Sequence, residues 1–225
     1  MNILKVINLA KSFRGKIAID RISFEVSRGE IFGIIGKNGS GKSTIINIIA
    51  GFYKKDKGKM YFMGKEISYP EIFSRVYILP ENPSFYSHLS LIENYKIFSN
   101  IYGNEENYEI LERFKLTPFL KNKINTLSQG IKKKLSLSLC LFNEKELFIL
   151  DEPFEYLDPE ARDFIKNRIR ELKQEGKAFL ITAHREEDVQ LFDRVLILEN
   201  GKIRFKGHKS HLEVRSFFNE NIDKF

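Results

Sequence analysis

At 225 residues, 42% of them hydrophobic and 30% charged, the chain has the composition of a globular protein and the length of one large domain or two small ones, which excludes a disordered or low-complexity polymer. Its net charge of +7 is spread along the sequence, which fits a solvated surface and leaves open contact with nucleic acid or an anionic membrane leaflet. No run approaches the roughly 18–20 apolar residues of a membrane-spanning helix, and the single cysteine, Cys140, excludes an internal disulfide and fits a reducing, cytoplasmic compartment.

The N-terminal apolar pattern is interrupted by Lys5 and Asn8 and reads as an amphipathic first strand rather than a secretory signal. Short alternating or apolar runs, "ILKVINLA", "ISFEV" and "EIFGIIG", predict strands over the first 35 residues. "KSTIINIIAGF" predicts a buried helix, with Ile45, Ile46, Ile48 and Ile49 around much of its circumference. "KMYFMGKEI" predicts a hairpin turning at Gly64. Residues from about 82 to 127 change character. "HLSLIENYKIFSNIYG" and "YEILERFKL" have helical spacing, broken by Pro118, so a helical insert is predicted there. "SQGIKKKLSLSLCLF" follows as one more helix with Ile131, Leu135, Leu139 and Phe142 on its apolar face and Cys140 as a small core residue. Lys132, Lys133 and Lys134 on its first turn read as a solvated face.

"ELFILDEP" is an apolar strand ending in two carboxylates. In "DPEARDFIKNRIRELKQEG", Asp158 suits the N-cap, Pro159 the first helical position and Gly176 the stop. "KAFLITAH" is another buried strand, and "RVLILENGKIRFKG" a hairpin turning at Asn200-Gly201. Buried strands alternating with helices imply a mainly parallel sheet covered on both faces, hence an α/β fold.

Gly36 to Ser43 matches G-x-x-x-x-G-K-[ST] between a predicted strand and a predicted helix. Glycines at 36, 39 and 41 let backbone N–H groups turn inward around phosphate oxygens, and the helix points its positive end at the same anion. Lys42 can reach the β- and γ-phosphates, and Ser43 can ligate Mg²⁺. Asp151, at the end of "LFILDEP", suits the metal side of such a site. Glu152 follows on the opposite side of the trace and can polarise a water for in-line attack. His208 and His211 have helical metal-ligand spacing but no carboxylate or cysteine partner in sight.

With these motifs the chain resembles the ATP-binding cassette ATPases, the motor subunits of ABC transporters, over nearly its full length. Five more segments match in order. "KSFRGKIAID" resembles the adenine-stacking loop, with Phe13 as the stacker; taken alone, Phe13 is one of twenty phenylalanines and could be a core aromatic. "LPENPSFYSHLSLIEN" occupies the place of the glutamine loop. "LSQGIKKK" resembles the signature, with Leu127, Ser128 and Gly130 retained. "YLDP" resembles the loop after the catalytic glutamate, with Asp158 as its carboxylate. "TAH" ends in His184, the switch histidine of the family.

The resemblance implies a P-loop NTPase, RecA-like: a mainly parallel sheet core with an antiparallel β subdomain and a helical insert. It implies one ATPase domain over 1–225, with the ATP-binding core at about 1–80 and 143–225 and the insert at about 82–142. ATP would be held by Phe13, Gly36, Lys37, Asn38, Gly39, Ser40, Gly41, Lys42, Ser43 and Thr44. Ser128, Gln129, Gly130 and Asp158 would cover it from a second subunit. Ser43, Glu81 and Asp151 would hold Mg²⁺, and Glu152 and His184 would serve hydrolysis.

Three positions depart from the pattern: Glu81 stands for the usual glutamine, Gln129 for the second signature glycine and Ile131 for the terminal glutamine. Similar variants belong to the exporter branch with separate membrane subunits. That branch implies a cytoplasmic protein, peripheral on the inner face of the membrane, partnered by an integral permease and by a second ATPase in a homodimer or heterodimer. Nucleic acid is not expected. The other reading is a soluble ABC ATPase acting on ribosomes or DNA. Ribosome-acting relatives usually carry two linked cassettes and DNA-repair relatives a long coiled coil; neither feature is found in these 225 residues.

Overall fold

Three turns with positive φ at both central residues set the hairpins: Arg14-Gly15 (49°, 79°), Met63-Gly64 (49°, 81°) and Asn200-Gly201 (48°, 74°). Such turns match the right-handed twist of the strands they join, and glycine enters the left-handed region without Cβ strain. In the computed structural model, which describes residues 1–67, 72 and 74–220, they join β1 (Asn2–Phe13) to β2 (Lys16–Ser27), β4 (Lys57–Phe62) to β5 (Lys65–Glu66), and β9 (Arg194–Glu199) to β10 (Lys202–His208). The end of the expected core, 221–225, and part of its 1–80 segment, 68–71 and 73, lie outside the described residues.

The first two hairpins form an antiparallel sheet in the order β2-β1-β4-β5, with Val6 opposite Phe24 on one side and Met60 on the other. A second, six-stranded sheet has the order β10-β9-β3-β8-β7-β6, with β3 at Ile31–Ile35, β6 at Val76–Leu79, β7 at Leu147–Leu150 and β8 at Ala178–Ala183. Every pairing in it is parallel except β9 with β10. Every residue of β3, β7 and β8 is buried, because both faces are covered.

The period of two divides these strands between two apolar clusters. Ile31, Ile35, Phe148, Leu150, Phe179 and Ile181 face one cluster, shared with the helical segments 91–140 and 159–174. Phe32, Ile34, Leu147, Ile149, Leu180 and Leu196 face the other, which joins the antiparallel sheet and helix α1 (Lys42–Ile49). The insert contributes α2 (Leu91–Tyr102), α3 (Tyr108–Arg113) and α4 (Gln129–Cys140). Ser90 and Glu93 form a reciprocal capping box on α2. Fully buried Asn94 then ties the preceding loop down, accepting from the Tyr86 amide at 2.8 Å and donating to the Tyr86 carbonyl at 3.0 Å. Helix α4 starts at its Ser128 cap, but its second half is buried all round, Ser136 and Ser138 included, rather than on one face alone. Helix α5 (Pro159–Gln174) has Asp158 as N-cap, accepting from the Ala161 amide, and Pro159 at its first position. A short α6 (Glu186–Val189) and α7 (Leu212–Asn219) follow.

Candidate functional site

Gly36 leaves the end of β3 with its amide on the Ala183 carbonyl of β8 at 3.3 Å. The loop then closes on itself through Ser40 N–H to the Lys37 carbonyl at 3.1 Å, and the Gly201 amide holds it from the β9–β10 turn at 3.0 Å. A Cβ at Gly36 would lie 2.5 Å from the Leu198 carbonyl; at Gly41 (φ +112°) it would lie 2.9 Å from the Ala18 carbonyl. These two glycines let the loop sit against β2 and β9. Gly39, also at positive φ, has open space on its Cα. The buried Ser40 hydroxyl has no hydrogen-bond partner among the described residues.

Helix α1 begins at Lys42, so its first N–H groups have no intrahelical acceptor and its dipole is positive there. The Lys42 side chain is only 5% exposed. Its ammonium donates to the carbonyls of Gly36 at 2.7 Å and Lys37 at 3.2 Å and pairs with Glu152 Oε1 at 3.1 Å. A cleft of about 490 Å³ opens over this helix end, a size that accommodates a nucleotide. Asn38, Gly39, Gly41, Lys42, Ser43 and Thr44 line one wall; Glu81, Glu152, Glu155, Tyr156 and His184 line the other. Lys37 and Ser40 stand behind the loop as backbone acceptors.

The two carboxylates after β7 differ in setting. Asp151 is raised above the usual aspartate range by burial, against hydrogen bonds from Thr182 and Ser43. Burial also raises Glu152, but a hydrogen bond from His184 and the Lys42 charge outweigh it and hold Glu152 below the usual range. Donating that hydrogen bond to Glu152 conversely raises His184. His184 Nδ1 lies 2.7 Å from Glu152 Oε2, and Nε2 lies 3.6 Å from Glu155 Oε1. The Thr182 hydroxyl serves both acids, donating to Asp151 Oδ1 at 2.5 Å and accepting from the Glu152 amide at 2.9 Å. Glu152 itself has φ of +48°, a left-handed conformation that a non-glycine residue holds only under external restraint.

Other candidates stand elsewhere in the single chain. Phe13 ends β1 at 41% exposed, edge-on to Tyr53 (5.3 Å between centroids) with the Lys11 ammonium 5.1 Å from its ring, and it does not line the cleft. Neither do Ser128, Gln129, Gly130 and Asp158. Ser128 caps α4 by accepting from the Ile131 amide, and a Cβ at Gly130 would come within 2.6 Å of the Tyr156 carbonyl. The signature turn is thereby packed directly on the loop that follows Glu152.

The solvated face assigned to Lys132–Lys134 is corrected. Lys133 is buried, donating to the carbonyls of Glu81 at 2.6 Å and Glu152 at 3.3 Å, and Lys134 pairs with Asp158 Oδ2 at 2.6 Å. These acceptors are brought there by other segments of the chain, so helical periodicity alone could not reveal them. His208 and His211 do separate local work: His208 Nδ1 contacts the Ser210 hydroxyl, and His211 caps α7 while stacked on Phe205. Sequence reasoning also passed over Thr182 and Glu155. Thr182 carried a signal, being the one hydroxyl in an otherwise apolar strand.

The donor set suits a triphosphate with a divalent cation: a glycine-bounded loop, a helix N-terminus, the Lys42 ammonium and the Ser43 hydroxyl share the cleft with Glu81 and Glu152, Asp151 is hydrogen-bonded by Ser43, and the unpartnered Ser40 hydroxyl is buried in the loop. A sequence profile of the ABC transporter family matches residues 19–155. The chain is 32% identical to the uncharacterised ABC transporter ATP-binding protein YhcH of Bacillus subtilis, over 99% of this chain and 72% of that protein. It is 33% identical to the Nod factor export ATP-binding protein I of Bradyrhizobium diazoefficiens, over 88% of this chain and 68% of that protein. Among solved structures it is similar to the ATP-binding subunit of an ABC transporter, with a TM-score of 0.83 and 30% identity over 96% of this chain and 93% of the other.

Proposed function

The chain belongs to the ATP-binding cassette family of ABC transporter ATP-binding proteins, and we propose from this that it binds and hydrolyses ATP as the motor subunit of a transporter whose membrane permease is a separate chain. Its fold is the α/β P-loop NTPase fold of those cassettes. The observation that carries the proposal is the convergence of Lys42, Ser43, Glu152 and His184 on one cleft at the start of α1, with Asp151 hydrogen-bonded by Ser43.

Lys42 exchanges its carbonyl and carboxylate partners for phosphate oxygens, and the N–H groups of 38–44 complete the cradle. Mg²⁺ held by Ser43, Asp151 and Glu81 would neutralise charge on the β- and γ-phosphates. Glu152, kept ionised by His184, accepts the proton of the attacking water. His184, half-buried between Glu152 and Glu155, holds Glu152 in orientation and presents a proton towards the transferred group.

We assign Phe13 to the adenine base. Ser128, Gln129, Gly130 and Asp158 would close a second subunit's cleft in a head-to-tail homodimer or heterodimer, since they stand outside this chain's own cleft. The 1–225 chain is read as one such domain, with the insert at about 82–142 as the permease-docking side. Among the described residues no helix is long and apolar enough to cross a membrane, so the chain would work as a peripheral protein on the cytoplasmic face. Export is the favoured direction, because a relative bears an export name and the signature departures match that branch.

The test is to purify the Glu152→Gln variant from membranes with its bound partners. An ATP-retaining dimer that co-purifies with an integral membrane protein supports the reading. Co-purification with RNA or DNA instead would replace transport by a nucleic-acid role.

A further inference from the structure

Lys133 is 2% exposed, on the first turn of the helix that Ser128 caps. Burying an ammonium is costly, and a leucine would fill the same volume without that cost. The ammonium donates to two backbone carbonyls here rather than to a carboxylate: Glu81 at 2.6 Å and Glu152 at 3.3 Å. Burial pushes its pKa down, while the charges of Asp151, Glu81, Glu152 and Glu155 push it back up. The two acceptors come from different segments of the chain that both line the cleft. Glu81 is in the loop after β6, and Glu152 is in the turn after β7.

Glu152 makes the contact informative. Its left-handed backbone is gripped at both peptide groups, the amide by Thr182 and the carbonyl by Lys133. A strained residue that must aim a carboxylate at a water needs such restraint, because about 1 Å of misplacement can cost about 100-fold in rate.

We propose that Lys133 is a positioning residue for hydrolysis: its ammonium holds the Glu152 turn and the Glu81 loop in register with each other and with the start of α4. Lys133 does not itself line the cleft; it touches two residues that do, Glu81 and Glu152, and acts through their backbones. A shift of α4, the helix whose N-terminus faces a second subunit in the proposed dimer, moves the Glu81 loop and the Glu152 turn together. The inference rests on the ATPase reading above.

The experiment compares Lys133→Arg, Lys133→Gln and Lys133→Met in the full chain, measuring kcat, KM for ATP and thermal midpoint. We expect Lys133→Met to lose about 10–100-fold in kcat with KM changed by less than about 3-fold, and Lys133→Arg to recover most of that loss. A folded Lys133→Met variant with wild-type kcat and only a lowered midpoint overturns the proposal, since it leaves Lys133 a structural residue. Should Lys133→Met fail to fold, Lys133→Arg against Lys133→Gln decides: at least about 10-fold higher kcat for arginine supports the role, and equal rates overturn it. The wild-type chain and Glu152→Gln, run alongside, separate the two levels. If the wild type shows no ATP turnover, the ATPase assignment fails; if the wild type turns over and Glu152→Gln is inactive while the Lys133 variants are normal, only the positioning role fails.

Discussion

Helices α1 and α4 each bring a buried lysine from their first turn onto two backbone carbonyls, yet the two lysines have different freedom. Lys42 holds the carbonyls of its own loop, five and six residues back, and faces a cleft with Glu152 as a further partner. Lys133 holds carbonyls 52 and 19 residues away and faces no cleft. The first can exchange partners with a ligand at little structural cost. The second cannot let go without loosening two loops. One chemical group therefore serves binding in one place and alignment in the other, and the difference lies in what the acceptors belong to.

Removing the exchangeable lysine should have the largest effect. Lys42→Ala is expected to abolish tight ATP binding and to lower turnover by more than about 100-fold, because the one ammonium that lines the cleft among the described residues is lost. The fold should remain, since its loop is still held by Gly36, Ser40 and Gly201 backbone bonds. Nucleotide titration and thermal melting on the same sample check both halves; near-native hydrolysis would remove Lys42 from the site.

The residue that both lysines touch comes next, Lys42 at its carboxylate and Lys133 at its backbone carbonyl. Glu152→Gln should leave ATP bound and slow hydrolysis by about 10²–10⁴-fold, the usual worth of a general base. The persisting ATP should then trap a dimer visible by gel filtration. A monomer that hydrolyses at the wild-type rate would sink the assignment.

The glycines of the two helix starts sharpen the comparison in stability rather than rate. Gly41→Ala places a Cβ at φ +112° and 2.7 Å from Ile19 Cδ1; Gly130→Ala meets the Tyr156 carbonyl at 2.6 Å from a helical conformation. Gly41→Ala carries both strain and overlap and should cost about 1–3 kcal/mol, whereas Gly130→Ala carries overlap alone and should cost less. Denaturant midpoints of the two variants test the order.

The smallest effect is on pH dependence. His184 is raised above 6.5, so its part of the Glu152–His184 pair is fully present below that value and is lost as pH rises through the raised one. Glu152 is lowered below 4.5, so its part is present above that value and is lost as pH falls through the lowered one. Between pH 6 and pH 9 the wild type should lose about 2–4 °C more in Tm than His184→Ala does. Parallel curves for the two proteins would show that the pair does not stabilise the fold.

Much of the fold was legible because it rests on local rules. The turns at Gly64 and Asn200-Gly201, the Asp158-Pro159 helix start, the all-apolar "IFGII" and "LFIL" strands and the nearly all-apolar "AFLITA" each act over a few residues. The phosphate-loop pattern was legible for the same reason: its glycines, lysine and serine lie within eight residues and between a strand and a helix. Glu155 was not legible, because nothing local distinguishes it from any acid after a strand. It matters only because β8 sets His184 beside it, 3.6 Å away.

By itself, then, the amino-acid order determined the period of each strand, the helix caps, the turn types and the phosphate loop, all of them consequences of backbone sterics and short-range hydrogen bonds. Only the tertiary structure decided that Lys133 is buried, that Thr182 joins Asp151 to the Glu152 amide, and that Glu152 takes a left-handed backbone. A lysine's surroundings depend on which carbonyls other segments bring to it. Burial and strain at such positions are set where β6, β7, β8 and α4 meet, by contacts that no window of sequence contains.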